Sequence, residues 1–547
     1  MTSGTSHDKH ASASQPMHDS APRRTPWKLY REDVSRITQA NYSGSGTDKD
    51  PYVVDWLDGD KGNPQTWSTG YKWALTILAS LSTLAVGFCS SAYAGAAGDV
   101  MLKFDVTPEV ATLGVSMFVL GFALGPLLWA PLSELFGRRP LLIYTYFGLT
   151  AFNIGCAVAP NMPALIVLRF FAGAFGSSPL TNAGAIIADM FDAKTRGLAL
   201  CLFASAPFMG PVIGPIVGGF TGQSVGWRWV MWVMVFFTVV ILIICTLFTP
   251  ETYAPVLLRK RAEALAAQTG KVYRSKYDSK AVSLTQMLKT GLTRPWILLI
   301  FEPIVLILSI YMAIIYGVLY MFFAAFPIVF HYARGWSPGI SGLAFIGIAV
   351  GIILALVYIL LDNARYVRAA HAAGGHAPAE ARLPPAIVGG VAIVLGLFWF
   401  AFTNSPSKHW LICIAATVPF GFGMINVFLP CFNYLVDSYL IYAASVLAAN
   451  SVLRSLFGTV FPLFTTKMYR NLGIHWASAV PAFLALACLP FPVLFWKYGA
   501  VVRSRCKYSA EASRIMQQHM AVSVVAKSAG GEEAKGQANA ASAEDKV

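Results

Sequence analysis

Apolar stretches of about 20 residues alternate with short polar connections along most of the chain, from residue 73 to residue 496. A helix of that length is long enough to cross the hydrocarbon core of a bilayer. The pattern therefore predicts twelve transmembrane helices, at residues 73–93, 110–130, 141–159, 164–187, 198–221, 229–248, 297–325, 338–361, 384–403, 409–434, 442–466 and 476–496.

A long polar segment, residues 249–296, divides the predicted helices into two groups of six. We predict an all-α membrane protein with two pseudo-symmetric six-helix bundles, residues 73–248 and 297–498, joined by a cytoplasmic central loop. Residues 1–72 and 499–547 are polar and have no apolar core. We expect both segments to be cytoplasmic tails, disordered over residues 1–72 and from about Ser509 onward, with no cleavable signal peptide at the start.

Composition and charge agree with a membrane protein. Charged residues make up 12% of the chain and hydrophobic residues 56%, whereas a soluble domain has about 25% charged residues. The net charge of +14 does not indicate nucleic-acid binding, because the basic residues lie in the connections between spans. With the N-terminus in the cytoplasm, the inward connections carry 16 Lys and Arg and the outward connections carry 6. This bias predicts that both termini are cytoplasmic. We expect the plasma membrane, with a vacuolar or other internal membrane left open.

Eight cysteines are scattered along the chain, and seven of them lie in apolar spans. Their spacing predicts neither a disulfide framework nor a zinc site, and we expect no metal and no cofactor. Cys506 follows the last span in a basic segment. It is interpreted as a free thiol, with palmitoylation as the alternative.

A run rich in glycine and proline lies inside the fifth predicted span. Proline removes a backbone hydrogen bond and bends a helix, and glycine lets a neighbouring helix approach closely. We interpret the run as the hinge of a transporter, the alternative being an ordinary packed membrane helix. Its key residues are Gly210, Pro211, Gly214, Pro215, Gly218 and Gly219.

A charged turn follows the second predicted span and contains Glu134, Gly137, Arg138 and Arg139. We expect this cluster to latch neighbouring helix ends in one conformational state and to release them in another. The corresponding connection in the second half, residues 361–368, keeps an acid and two arginines but lacks the glycine.

Three charged residues lie inside predicted spans, where an ionised side chain is costly unless it faces a cavity or a partner. A buried carboxylic acid can take up and release a proton, so Glu302 is interpreted as the proton carrier, with a helix-packing acid held by hydroxyl groups as the alternative. Arg169 stays charged, and we expect it to act in coupling by tuning a nearby acid, water or anion. Arg454 is interpreted as a group that binds a substrate anion, or as a cation paired with backbone carbonyls.

Polar and aromatic residues on otherwise apolar spans are candidates for lining the substrate path. Most aromatic residues in membrane helices pack together or face lipid, so only convergence on one cavity would support this interpretation. The candidates besides Arg454 are Tyr93, Asn182, Tyr311, Tyr316, Tyr320, Asn426, Asn433 and Asn450.

These motifs resemble those of the major facilitator superfamily. The charged turn is similar to the family's loop signature, with Glu134 in place of the usual aspartate, and residues 168–176 are similar to its fourth-helix motif. The run at residues 210–219 resembles the fifth-helix motif of drug/proton antiporters, and Pro250-Glu251-Thr252 resembles fungal members. The resemblance implies the major facilitator fold and a proton-coupled antiporter of the fungal twelve-span type, which exports rather than imports its substrate.

Enzymatic motifs are missing from the sequence, including a P-loop, a His-Glu-x-x-His pair, a dinucleotide fingerprint and a nucleophile elbow. We therefore expect no enzyme activity and no ATP-driven pumping. We predict proton-coupled efflux by alternating access of drugs or of a small organic metabolite. The deep charges are two arginines and one glutamate, which favours an anionic or neutral metabolite, for example an organic acid such as itaconate. The alternatives are a sensor of the same fold that binds without transporting, a polyamine exporter and a channel. The expected partners are the substrate, protons and the lipid bilayer, and we expect a monomer.

Overall fold

The computed structural model describes residues 34–192, 195–278, 284–372, 378–512 and 514–515, and these residues are mainly helical. Two short strands, β1 (Tyr52–Val54) and β2 (Tyr273–Ser275), pair in parallel. The helices are α1 (Val34–Gln39), α2 (Thr69–Ser91), α3 (Ala97–Phe104), α4 (Pro108–Phe136), α5 (Arg138–Ala157), α6 (Met162–Met190), α7 (Arg196–Val225), α8 (Trp227–Phe248), α9 (Ala254–Thr269), α10 (Leu284–Phe301), α11 (Pro303–Phe326), α12 (Pro338–Gly342), α13 (Ile346–Ala372), α14 (Pro384–Thr403), α15 (Trp410–Ala415), α16 (Thr417–Tyr439), α17 (Ala443–Cys488) and α18 (Pro490–Arg505).

Within the described residues, 10 helical stretches are long and apolar enough to cross a membrane. They follow the predicted spans in order and establish a polytopic membrane protein. The last stretch, Trp410–Arg505, has 96 residues and includes α15 to α18. Gly473 interrupts α17 with φ 73° and ψ 168°, at a point between the eleventh and twelfth predicted spans. The number twelve itself stays a prediction.

The predicted start of the seventh span is wrong. Helix α10 ends at Phe301 and α11 begins at Pro303, so the first residues of the predicted span belong to a different helix. Glu302, between the two helices, is extended with φ −109° and ψ 100°. The cause is local, because proline restricts the residue before it to extended conformations and itself fits the first turn of a helix.

Helices α2 to α8 form one bundle and α11 to α18 form the other. The most extensive packing joins α4 to α6 and α2 to α7 in the first bundle, and α11 to α17 and α14 to α16 in the second. The bundles meet where α4 packs on α17 and where α7 packs on α12. We call the side on which α2 begins and α18 ends the termini face, and the opposite side the far face.

The glycine face predicted in the fifth span packs directly on α2. A Cβ atom added at Gly218 would lie 2.0 Å from the carbonyl oxygen of Ala92, which is too close for any side chain. In return, Gly87 of α2 leaves room for the ring of Pro211, whose Cδ would lie 2.7 Å from a Cβ at that glycine. Helix α7 runs as one element through Pro211 and Pro215, so these prolines do not divide it.

The expectation of a disordered tail before α2 is wrong for residues 34–68. Arg261 of α9 forms a salt bridge of 2.5 Å with Asp60, and β1 pairs with β2 from the central loop. This polar segment has few apolar residues, but they are enough to form a folded core because α9 supplies the other half of that core. We call α1, β1, α9 and β2 the tail–linker unit, whose buried core is Ile37, Val54, Leu258, Ala262 and Leu265.

The central loop contains helix α9 and most of α10, and residues 509–512 of the C-terminal tail are helical, contrary to the expectation of disorder in that tail. Arg259 of α9 donates a hydrogen bond of 3.0 Å to the carbonyl oxygen of Leu135 at the end of α4. Beyond α18, residues 507–512 are helical, and Ser509 donates to the carbonyl oxygen of Ser438 at 3.0 Å. Residues 1–33, 513 and 516–547 of the predicted tails lie outside the described residues.

Candidate functional site

Arg454 of α17 lies between the bundles among aromatic side chains. Its guanidinium carbon is 4.8 Å from the ring centre of Tyr316 in α11 and 6.0 Å from that of Phe428 in α16. Phe208 of α7, in the other bundle, packs on Phe428 with ring centres 4.8 Å apart. We call the following residues the Arg454 site: Arg454, Tyr316, Tyr320, Phe428, Phe208 and Ser90.

The positive charge of Arg454 is buried, and none of the described acidic residues is its partner. The residue is 8% exposed, and within the described part of the chain its Nε atom has no hydrogen-bond partner. A cation over an aromatic ring gains about 0.5–2 kcal/mol, which does not offset the several kcal/mol that desolvation costs. An anionic ligand would supply the missing partner.

A pair of hydroxyl contacts connects the Arg454 site to the other bundle. The Tyr316 hydroxyl donates to that of Tyr320 at 3.3 Å, and the Tyr320 hydroxyl lies 2.8 Å from Oγ of Ser90 in α2. All three side chains are buried. Because Tyr316 and Tyr320 are one helical turn apart, both point from the same face of α11 towards the bundle interface.

Asn450 lies one turn before Arg454 on α17. Its Nδ2 atom donates to Oγ of Ser309 in α11 at 3.2 Å. Its Oδ1 atom is buried and has no partner among the described residues. The structure thus brings four of the predicted cavity residues to the α11–α17 interface: Arg454, Tyr316, Tyr320 and Asn450.

The other predicted cavity residues lie within their own bundles. Tyr93 donates to the carbonyl oxygen of Ala111 at 2.9 Å. Asn182 donates to Oγ of Ser178 at 2.9 Å. The remaining three are Tyr311, which is buried near Gly390 of α14, Asn426, which bonds to the carbonyl oxygen of Phe422, and Asn433, which is half-buried on α16.

Arg169 joins α6 to the end of α2 and to α4. It is fully buried, and it donates to the carbonyl oxygens of Gly114 at 2.8 Å, Cys89 at 2.8 Å and Ser90 at 3.1 Å. The carbonyls in the last turn of α2 have no partner within that helix, so Arg169 satisfies them. The guanidinium carbon is also 4.3 Å from the ring centre of Phe118. These contacts do not include an acid, and a role in proton coupling stays a prediction.

Glu302 is fully buried at the termini face. Its carboxylate accepts a hydrogen bond of 2.8 Å from the Tyr439 hydroxyl and one of 2.9 Å from the backbone N–H of Tyr508. It therefore joins the start of α11 to α16 and to the segment beyond α18. This geometry fits the alternative of a packing acid held by hydrogen bonds, and proton transfer at Glu302 stays a prediction.

The charged turn after α4 is organised by an acid from another part of the chain. Gly137 has φ 102°, which glycine adopts without strain. The carboxylate of Glu251 accepts the backbone N–H groups of Arg138 at 3.0 Å and Arg139 at 3.2 Å. An anion is favourable there because these N–H groups begin α5.

Glu134, predicted as the acid of the latch, is exposed. Asp189 takes part instead, with its carboxylate 3.5 Å from Nε of Arg138 and accepting from the Thr252 hydroxyl at 3.2 Å. The cluster thus joins the ends of α4, α6 and α8 within one bundle. Whether it acts as a conformational latch stays a prediction.

A cavity of about 490 Å³ lies between the bundles on the far face. Phe323 of α11 lines it and packs edge-on against Tyr320, with ring centres 5.0 Å apart. Phe323 therefore lies between this cavity and the Arg454 site. A hydrogen bond joins the two bundles beside this cavity. The side-chain oxygen of Gln223 in α7 accepts it from the backbone N–H of Gly339 in α12 at 3.0 Å.

Sequence reasoning missed Ser90, Phe208 and Phe428. Each is an ordinary residue for an apolar span, and no spacing distinguishes it from its neighbours. Their place in the site depends on contacts between helices that are distant in sequence.

The sequence model of the Major Facilitator Superfamily matches residues 79–462. The chain belongs to the major facilitator superfamily. It is 59% identical over 508 residues to a protein named major facilitator superfamily multidrug transporter mdrA, from Aspergillus fumigatus, covering 92% of this chain and 84% of that one. It is 54% identical over 488 residues to a protein named efflux pump FUB11, from Gibberella moniliformis, covering 88% of this chain and 82% of that one.

Solved structures of the superfamily show the same fold. The proton:xylose symporter XylE aligns with a TM-score of 0.58 and 16% identity, covering 79% of this chain and 96% of XylE. The human organic anion transporter MFSD10 aligns with a TM-score of 0.54 and 16% identity, covering 77% of this chain and 99% of MFSD10. The predicted family and fold are confirmed: this major facilitator protein is a multi-pass membrane transporter and not an enzyme.

Proposed function

We propose that this transporter exports a small organic anion, or a drug with an acidic group, by proton-coupled alternating access. The observation that carries the proposal is the buried charge of Arg454, which lacks an acidic partner in the described chain. Fungal relatives named multidrug transporter and efflux pump support the direction of transport.

The chemistry of the Arg454 site favours a carboxylate joined to an apolar group. A guanidinium binds a carboxylate through two parallel hydrogen bonds. The rings of Tyr316, Phe428 and Phe208 offer apolar surface beside that point. An unsaturated dicarboxylic acid such as itaconate has both features, as do larger acidic secondary metabolites. A polyamine would need acids where this site presents a cation.

Transport by secretory vesicles or reconstituted liposomes tests the proposal. Uptake of labelled anionic, neutral and cationic compounds is measured with Arg454→Gln and with the control Lys467→Gln, which removes an exposed charge from the same helix. A lost charge-assisted bond is worth about 1.5–3 kcal/mol. We therefore expect Arg454→Gln to lower transport of the anion at least about tenfold, with little effect on neutral compounds.

Equal losses for all compound classes would contradict an anion site. Specific binding of the anion without any transport would favour the sensor, in which substrate does not cross the membrane. A pH gradient imposed on the same vesicles reports proton coupling, which the proposal requires to accelerate export.

We also propose that the termini face is cytoplasmic and that the protein works in the plasma membrane. The distribution of Lys and Arg supports this orientation. Asn41, in the sequence Asn41-Tyr42-Ser43, would then carry no glycan although it is exposed. A mobility shift of the native protein on glycosidase treatment would reverse the assigned orientation.

A further inference from the structure

A cavity of about 710 Å³ lies on the termini face between α10, the start of α11 and the end of α18. It is separate from the Arg454 site and shares no residue with it. One part of its wall is apolar and the other carries basic residues. The apolar wall consists of Ile297, Phe301, Pro303, Val501 and Val502. The basic wall consists of Arg505 and Lys507.

The apolar wall of the cavity is exposed on the outer surface of the helix bundle. Phe301 is 69% exposed and Val501 is 55% exposed. In a membrane protein, large apolar side chains exposed beside a spanning helix contact acyl chains. Trp296, which is also exposed, is of the type that lies at the headgroup layer. The cavity is therefore at the membrane interface.

The basic wall carries two positive charges that can bind an anionic ligand. Arg505 and Lys507 are exposed, and in the part of the chain that the structure describes neither forms a salt bridge. Lys507 has a ring contact with Tyr508 at 5.9 Å. Arg503, on the same helix end, differs because Glu380 holds it through two hydrogen bonds of 2.9 Å.

We propose that this cavity binds an anionic phospholipid, with its phosphate between Arg505 and Lys507 and an acyl chain along Phe301 and Ile297. The combination of a cationic and an apolar wall selects for this class of ligand. A zwitterionic lipid brings a compensating cation to the basic wall, and a soluble phosphate leaves the apolar wall unused. Basic pockets between helix ends at the membrane surface are suited to anionic headgroups.

The bound lipid would brace the start of α11. Tyr508 lines the cavity, and its backbone N–H bonds to Glu302, the residue before α11. Helix α11 continues to Tyr316 and Tyr320 of the Arg454 site. We therefore expect export to depend on anionic lipid, through the position of this helix.

Binding is tested with the purified full-length protein by native mass spectrometry. The probes are phosphatidylserine, phosphatidylcholine and the soluble headgroup glycerophosphoserine. We expect phosphatidylserine to bind about thirtyfold more tightly than phosphatidylcholine, because each of the two basic residues near the headgroup adds about 1 kcal/mol. The soluble headgroup should not bind detectably.

Two pairs of variants locate the site. Arg505→Gln with Lys507→Gln should abolish the preference for phosphatidylserine, whereas Lys467→Gln with Lys497→Gln, which removes two other exposed charges, should keep it. Phe301→Ala should weaken binding of both lipids, and Phe236→Ala, at an exposed phenylalanine of α8, should not.

Retention of the preference in the first double variant would overturn the proposal, because the selectivity would then arise from the membrane-facing charge as a whole. Binding of glycerophosphoserine as strong as that of phosphatidylserine would also overturn it, since the site would then take a free phosphate. The result is independent of the exported substrate, so failure of the anion-export proposal leaves this test unaffected.

Discussion

The hydroxyl oxygen of Tyr320 in α11 lies 2.8 Å from Oγ of Ser90 in α2, and this hydrogen bond joins the two bundles beside Arg454. In alternating access one bundle rocks against the other around a central site. Under the alternating access that we propose for this protein, a short side-chain bond between the bundles would lengthen or reform during the cycle. Its position next to Phe323 places it on the path between the Arg454 site and the far-face cavity.

We expect Tyr320→Phe to shift the conformational equilibrium towards opening at the far face. The lost hydrogen bond is worth about 1 kcal/mol, which corresponds to about a fivefold shift. A cysteine placed at Thr459, which is 8% exposed on the helix of Arg454, should react about fivefold faster with an impermeant thiol reagent. Tyr434→Phe is the matched control, because the side chains that approach the buried Tyr434 hydroxyl, Ser438 and Glu380 among them, lie in its own bundle. Unchanged labelling in Tyr320→Phe would show that the bond does not hold the bundles.

Gly218→Ala should damage both stability and transport. The added Cβ atom would lie 2.0 Å from the carbonyl oxygen of Ala92, so α2 and α7 would have to separate at a cost of about 1–3 kcal/mol. Thermal unfolding of the purified protein and export in vesicles measure the two effects. Gly197→Ala in the same helix meets nothing within 4 Å and should leave both unchanged. Wild-type stability and transport in Gly218→Ala would show that α2 moves away from α7 at little cost in free energy.

Glu302→Gln and Tyr439→Phe together separate proton transfer from anchoring. Both substitutions weaken the contact between Glu302 and Tyr439, but Glu302→Gln alone removes a group that can bind a proton. If Glu302 carries the coupled proton, only Glu302→Gln should lose the dependence of export on the pH gradient while keeping substrate exchange. Gradient dependence retained by both variants would assign Glu302 to the anchor of α11.

Asp60→Asn should loosen the tail–linker unit. Burial by itself would raise the pKa of Asp60, but hydrogen bonds from Arg261 and from the N–H of Gly62 lower it below its usual value. The ion pair therefore stabilises the unit above the unfolded-state pKa of about 3.9, and this contribution is lost as the pH falls through the lower folded-state pKa. Breaking a buried ion pair leaves the charge of Arg261 uncompensated and costs about 3–5 kcal/mol.

Hydrogen exchange of the strand amides measures this loss. At neutral pH the N–H of Tyr52, which donates to Val272 at 2.9 Å, should exchange at least about tenfold faster in Asp60→Asn than in the native protein. The difference should shrink as the pH falls below the usual pKa of aspartate. Asp58→Asn, at an exposed neighbour, should exchange like the native protein. Equal rates in both variants would mean that the apolar core alone holds the unit.

The sequence by itself determined the membrane character of the chain, the order of its spans and the glycine face of α7. These features follow from local patterns, since hydropathy over about 20 residues decides whether a helix can cross a bilayer. A missing Cβ at Gly210, Gly214 and Gly218 likewise permits close packing whatever the partner is. Hydropathy alone also explains why the predicted start of the seventh span was wrong. The apolar stretch continues through Glu302, but the proline that follows Glu302 ends one helix and begins the next.

The tertiary structure alone decided which charges have partners. Asp60 and Arg261 are 201 residues apart in sequence and form a buried pair, which folds a segment that is too polar to form a core alone. Arg454 and Glu302 look alike in sequence as deep charges, yet Glu302 is held by Tyr439 and Tyr508, whereas Arg454 has no acidic partner in the part of the chain that the structure describes. Hydrogen bonds and ion pairs act over about 3 Å, so only the packing of distant helices determines which side chains come within reach.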